Sequence, residues 1–179
     1  GLPRSHPQRR TLDVLNTIIG GGMSSRLFQS VREERGLAYS VYSGHSAYSD
    51  TGVWSVAAGC QPDRAAEVFD VITQDLALVR DAGVSDDEVT RAKGHLSGSI
   101  VMSGEDTASR MATLGRAEVA TGALHGLDEV LARVESVTTA DVDRMARELL
   151  GQPRHVCAVG AKGRGTKKSM ATATNGEAQ

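Results

Sequence analysis

Arg32 and Tyr39 are the residues of this sequence whose types and spacing best suit chemistry on something outside the chain. They lie seven positions apart, on either side of Gly36, in the stretch RLFQSVREERGLAYSVYS (residues 26–43). A guanidinium group and a phenol both donate hydrogen bonds, so the pair could hold a peptide carbonyl or stabilise an oxyanion. In a simpler interpretation, Arg32 and Arg35 stabilise the negative end of a helix and Tyr39 is an ordinary strand residue. Spacing alone favours the simpler interpretation.

The other residues that commonly do chemistry form no complete site in the sequence. No histidine has a second His or Cys three or four positions away, so no zinc pair lies on one helical turn. No G-x-S-x-G elbow marks a nucleophilic serine. We expect the histidines to be scattered surface residues: His6, His45, His95, His125 and His155.

A run of three glycines, residues 20–22, has two interpretations. It could form an anion-binding nest at a helix start, although it lacks the lysine and the spacing of a P-loop. It could also let two helices pack at an angle, which is the interpretation we favour. Neither interpretation by itself gives a catalytic group.

Length and composition are typical of one globular domain. The chain has 179 residues, of which 40% are hydrophobic, 23% charged and only 3% aromatic, so aliphatic side chains must fill the core. No apolar run reaches the ~18 residues that a membrane span needs, and no signal-peptide pattern opens the sequence. Cys60 and Cys157 indicate a reducing compartment, although one bridge between them stays open. We expect a cytoplasmic protein without a membrane partner.

Charge is unevenly distributed along the chain. The formal net charge is −2, but both ends are basic and the body between them is acidic. An acidic body argues against a nucleic-acid partner, because such a partner needs a basic groove. It would suit a cationic peptide, but an acidic surface is usually that of an ordinary soluble domain, which is the interpretation we favour.

Hydrophobic periodicity predicts two helices and then a hairpin in the first third of the chain. Apolar residues at helical spacing predict a first helix that ends at residues 20–22. A second helix, capped by Ser24 or Ser25, is expected to end at Gly36. The period then changes to two over residues 37–45 and 52–60, which predicts a β-hairpin.

Helices dominate the remainder of the predicted fold. Apolar spacing predicts a helix after Pro62, a capping box at residues 85–88 opens the next, and Ser103 to Asp106 open another. Two shorter helices are expected at 127–136 and 139–150, followed by a last strand at 154–160.

Segregated helices and strands predict the α+β class. The opening Gly-Leu-Pro resembles the tail of a strand, so we expect residues 1–160 to be one domain that lacks its first strand. Residues 161–179 have no apolar period and are expected to be disordered. The chain is therefore expected to be a piece of a longer protein.

Three stretches carry a resemblance to a known family: LNTIIGGGMSSRLFQSVREERGLAYSVYS, YSDTGVWSVAAGCQP and VSDDEVTRAKGHLSGSIVMSGEDTASRMATLGRAE. They resemble the pitrilysin or insulinase-type zinc metallopeptidases, near the processing-peptidase branch, and the likeness covers about residues 1–160. Members of that family have two similar halves that close around a peptide. The N-terminal half binds zinc through an H-x-x-E-H motif, and the C-terminal half lacks those ligands. The resemblance implies that this chain is most of a C-terminal, metal-free half. It also implies the architecture of such a half, a mixed, largely antiparallel sheet with helices packed on one face.

The resemblance also implies a function for Arg32 and Tyr39. They stand where the family has an Arg and, seven residues later, a Tyr that grip the substrate, so they are implied to position the peptide and stabilise the oxyanion. The complete enzyme would be a zinc metalloendopeptidase whose zinc is bound by the N-terminal half. This chain would bind no metal and would be inactive alone.

The implied partners are a peptide or unfolded polypeptide substrate and the zinc-bearing half, in the same chain or in a partner subunit. An alternative stays open, because some members of the family are non-catalytic partner subunits or assembly modules that never bind zinc. An intact or degenerate H-x-x-E-H motif in the other half distinguishes the two.

Overall fold

The computed structural model describes residues 1–161, which combine six α-helices with a two-stranded antiparallel sheet. A π-helical segment (Phe28–Glu33) precedes the sheet, and a 3-10 turn (Pro62–Arg64) follows it. The expected tail lies outside the described residues from residue 162 onwards. The α+β class is confirmed.

The elements in chain order are α1 (Arg9–Gly20), β1 (Ser40–Ala47), β2 (Gly52–Gly59), α2 (Ala65–Ala82), α3 (Asp86–Glu105), α4 (Thr107–Thr121), α5 (Leu127–Glu135) and α6 (Thr139–Leu150).

Helix α1 is the centre of the fold. It contacts β1 on one side and α3, α5 and α6 on the others, as the expected packing of helices on one sheet face requires. Alternate residues of β1 face it, because Val41 and Ser43 are buried while Tyr42 between them is exposed. The buried apolar residues of α1 fill the space between the layers: Leu12, Val14, Leu15, Ile18 and Ile19.

The end of α1 lies directly against β1. A Cβ on Gly20 would come within 2.5 Å of the Ser43 backbone nitrogen, so only glycine allows this approach. The same contact is fixed by Asn16, whose Oδ1 accepts hydrogen bonds from Ser43 Oγ at 2.8 Å and from Trp54 Nε1 at 3.0 Å. Gly20 thus serves a close contact between a helix and a strand, which neither interpretation of the three glycines predicted.

The helix boundaries follow the local signals in the sequence. Ser85 forms the expected capping box with Glu88 at the start of α3, and Thr138 forms a second one at the start of α6. Gly83 and Gly122 end α2 and α4 with φ angles of 77° and 63°. Each of these signals acts within one helical turn, which is why it could be recognised without the fold.

Two expectations about local structure were wrong. Residues 154–160 form no strand in the described part of the chain, where β1 and β2 pair only with each other. A strand needs hydrogen bonds to a neighbour, and period-two patterning does not supply one. The expected serine cap before the second helix is also absent, because Ser25 Oγ donates to the Gly22 carbonyl at 2.6 Å instead.

Candidate functional site

The connecting segment between α1 and β1 (residues 21–39) carries both candidate residues. Leu27 and Val31, whose side chains are completely buried, hold its π-helical part against the core. Gly36 then reverses the chain with a φ of 58°, and the Leu37 amide donates to the Val31 carbonyl at 2.9 Å. Gly36 therefore ends the helical part as the sequence predicted, and the turn leads directly into β1.

Arg32 leaves the π-helical part towards solvent, and 46% of its side-chain surface is exposed. Its Cζ lies 4.7 Å from the centre of the Phe28 ring, and its Nε is 3.9 Å from Glu33 Oε1. The sequence suggested that the arginine stem follows the apolar stripe while the guanidinium reaches past the helix end. In the structure the guanidinium itself contacts the aromatic ring.

Tyr39 has a fixed backbone and a free side chain. Its amide donates to the Gly59 carbonyl at 2.8 Å, which ties it to the end of β2. Its side chain is 87% exposed, and within residues 1–161 its hydroxyl makes no hydrogen bond. The backbone of Tyr39 is therefore fixed, and the donor and acceptor of its phenol are free within residues 1–161.

An open groove of about 770 Å³ lies beside Tyr39. Residues 36–39 form one wall, and residues 59–62 with Arg64 form the other. Arg32 reaches the surface on the other side of the Gly36 turn, and no hydrogen bond joins it to Tyr39 within the described residues. The structure thus exposes both candidates from the two ends of one turn.

Arg26 anchors the connecting segment to the helical layer. Its Nε and Nη2 donate to the two carboxylate oxygens of Glu88 at 2.7 and 2.8 Å, and Nη2 also donates to the Gly83 carbonyl at 3.1 Å. The hydrogen bonds from Arg26, helped by the Ser85 amide, lower the pKa of Glu88 to about 2 against the opposing effect of burial. Sequence reasoning missed this pair, because 62 positions separate the partners.

Arg35 behaves as the simpler interpretation of the arginines predicted. Its Nη1 donates to the Ser30 carbonyl at 2.7 Å, near the end of the π-helical part. It thus satisfies a carbonyl that the helix leaves without a partner. The three arginines of the connecting segment therefore differ in use, and only Arg32 keeps all its N–H donors free of hydrogen bonds within residues 1–161.

His45 is not the surface residue that the sequence suggested. Its Nε2 lies 2.8 Å from Asp13 Oδ1, and both side chains are largely buried between β1 and α1. Burial favours a higher pKa of Asp13, but the hydrogen bond with His45 and the charge and hydrogen bond of Arg10 outweigh it and lower the pKa. The pair joins the first helix to the hairpin.

The described residues offer no place for a metal ion. Within residues 1–161 no group of three or more His, Cys, Asp or Glu side chains is arranged to hold one.

Over the same residues, no helix combines the length and the apolar character needed to cross a membrane.

Sequence comparison relates the chain to a family of peptidases. The profile of the Peptidase M16 inactive domain matches residues 1–96. An uncharacterized zinc protease of Streptomyces coelicolor is 46% identical over 160 residues, which cover 89% of this chain and 35% of the relative. The mitochondrial-processing peptidase subunit alpha of Neurospora crassa is 31% identical over 84% of this chain and 29% of its own length. The chain thus spans about a third of the curated relatives it matches.

Solved structures show the same fold. The peptidase M16 inactive domain from Pseudomonas fluorescens superposes with a TM-score of 0.74 at 24% identity, over 83% of this chain and 35% of that one. A protease from Helicobacter pylori gives a TM-score of 0.74 at 22% identity, over 82% of this chain and 36% of that one. At these identities the likeness concerns the fold alone.

Proposed function

The chain belongs to the M16 peptidase family, and we propose that it is the substrate-gripping part of a zinc-dependent metalloendopeptidase. The profile that matches it is that of the family's inactive domain. Residues 1–160 act in this proposal as one domain of a longer cytoplasmic protein, and the residues after them as an extension. The substrate is a peptide or an unfolded polypeptide.

Arg32 and Tyr39 hold that substrate in the proposed function. Arg32 donates to a peptide carbonyl, and Tyr39 donates from its phenol to the oxygen that becomes negatively charged during hydrolysis. One observation carries the proposal: the Tyr39 hydroxyl is exposed and unbonded, although the backbone beneath it is tied to β2 beside an open groove. An exposed donor on a fixed backbone, with no partner in residues 1–161, suits an external acceptor.

Zinc does not fit the residues described here. Residues 1–161 contain no group of three or more His, Cys, Asp or Glu side chains that could hold the metal. The proposal therefore places zinc in a second half, in the same chain or in a partner subunit. The names of several relatives as zinc proteases support a metal in the complete enzyme.

The kcat of Tyr39→Phe in the complete protein tests this proposal. We expect kcat to fall by roughly 10²–10³, the usual cost of losing one oxyanion donor, with an unchanged melting temperature because the hydroxyl is free in the described structure. Tyr48→Phe is the matched control, because Tyr48 is an exposed tyrosine in the hairpin turn. A Tyr39→Phe variant with wild-type kcat would refute the role of Tyr39.

A second candidate function is a non-catalytic partner subunit or assembly module. The Neurospora crassa relative favours it, because its name describes one subunit of a processing peptidase. The intact mass and the sequence of the native protein distinguish the two candidates. A single chain with H-x-x-E-H in its other half supports the peptidase, and a chain without that motif, bound to a zinc-bearing partner, supports the subunit.

A further inference from the structure

The guanidinium of Arg32 rests on the face of the Phe28 ring, four positions earlier in the π-helical segment. The distance of 4.7 Å from Cζ to the ring centre is well within the ~6 Å at which a cation and an aromatic face attract each other. The contact restricts the planar group although 46% of the side chain is exposed. Arg32 is therefore oriented as well as accessible.

The ring orients Arg32 without occupying its donors. The five N–H groups of a guanidinium lie in its plane and point outwards, whereas a ring face contacts the plane from one side. Within residues 1–161 Arg32 makes no hydrogen bond, and its ion pair with Glu33 is long at 3.9 Å and exposed on both sides. All its donors therefore remain free for an acceptor outside the domain.

Phe28 is itself firmly placed. The residue before it, Leu27, is completely buried, and so is Val31 one turn later. Two positions before Phe28, Arg26 clamps the segment to Glu88 with two short hydrogen bonds. The backbone that carries the ring is thus held in place, and Phe28 itself is partly buried, so its ring can support the Arg32 side chain.

We propose that Phe28 is a positioning residue for substrate binding: its ring holds the Arg32 guanidinium flat, so that the N–H edge faces a peptide carbonyl. The inference rests on the proposed function of Arg32 and adds a residue to it. Because the Arg32 side chain is already oriented, it loses less rotational freedom when the peptide binds. The protein therefore has a higher affinity for the peptide than it would have without the ring.

Binding of fluorescein-labelled casein to the zinc-free complete protein, followed by fluorescence anisotropy, tests the inference without hydrolysis. Phe28→Leu removes the aromatic face and keeps an apolar side chain, and we expect Kd to rise about two- to fivefold, as for an exposed cation–π contact. Phe28→Tyr keeps the face and should bind within about twofold of the wild type. If Phe28→Leu fails to fold, Phe28→Met replaces it, because the unbranched and flexible methionine side chain fills irregular gaps in packing.

The same substitutions in an Arg32→Met background separate positioning from packing. Without the guanidinium, Phe28→Leu should leave Kd unchanged. An equal rise of Kd in both backgrounds, or no rise when Arg32 is present, would overturn the inference. If Arg32→Met itself binds casein like the wild type, the proposed role of Arg32 fails together with that of Phe28. If Arg32→Met weakens casein binding but Phe28→Leu does not, only the proposed role of Phe28 is refuted.

Discussion

Two arginines six positions apart in the connecting segment are used in opposite ways. Arg26 donates three hydrogen bonds to Glu88 and Gly83, and 29% of its side chain is exposed. Arg32 donates none within residues 1–161, lies over Phe28 and is 46% exposed. Arg26 thus uses its Nε and Nη2 donors inside the domain, whereas the ring contact of Arg32 uses none of its donors.

The difference shows what separates a structural arginine from one that can act on a ligand. Bidentate pairing with a partly buried carboxylate stabilises the fold and ties the guanidinium to that partner, so Arg26 cannot turn its paired edge towards a substrate. Contact with an aromatic face gives less stability but leaves the hydrogen-bonding edge free. The connecting segment contains both kinds of arginine, with Arg26 in its first part and Arg32 near the Gly36 turn.

Removing each arginine in turn should have the largest effect and should separate the two roles. Arg26→Ala leaves the Glu88 carboxylate without its main partner, and we expect the free energy of unfolding to fall by roughly 2–3 kcal/mol. Arg32→Ala should cost about 1 kcal/mol or less, because its contacts are exposed. Urea unfolding of both variants measures the difference. Equal losses of stability would contradict the division of roles.

Acid should weaken the anchor in a predictable direction. The folded pKa of Glu88 is about 2 against an ordinary value of 4.5, so the anchor gives its full stability above pH 4.5 and loses it as the pH falls towards 2. Glu88→Gln cannot titrate. The difference in unfolding free energy between the wild type and Glu88→Gln should therefore shrink between pH 5 and about pH 2. A difference that stays constant over that range would contradict the anchor.

The Gly36 turn, which separates the anchored part from Tyr39, should show a smaller effect. Gly36→Ala places a Cβ at a φ of 58°, with no atom within 4 Å, so the cost of about 1 kcal/mol comes from the backbone alone. Gly94→Ala is the matched control, since Gly94 lies inside α3 with equally open space. That control should stabilise the domain by up to about 1 kcal/mol. Thermal unfolding of both variants measures whether each substitution lowers or raises the stability of the domain.

Sequence reasoning was most successful where the cause is local. The capping box at Ser85 and the left-handed stop at Gly36 act within a few positions, and both could be recognised from residue type. The strand expected at 154–160 failed because pairing depends on a neighbour that the pattern does not reveal.

The candidate site was only partly accessible from the sequence. The exposure of Arg32 and Tyr39 agrees with a role outside the chain, but their roles were implied by resemblance and stay predictions. The partners of the Arg26–Glu88 pair lie 62 positions apart in the sequence and those of the Asp13–His45 pair 32 positions apart. No sequence periodicity therefore predicts either pair. The contact of Arg32 with Phe28 required the conformation of the π-helical segment itself.

Site-specific cross-linking from position 39 tests most directly whether Tyr39 faces the substrate. Tyr39 is replaced by p-benzoylphenylalanine in the zinc-free complete protein, which is then irradiated with labelled casein, and Tyr48 is replaced in the same way as the control. We predict a cross-link from position 39, where the side chain is 87% exposed beside the groove, and little or none from position 48, which is 53% exposed. Equal yields from both positions, or no cross-link from position 39, would contradict a substrate-gripping role for this domain.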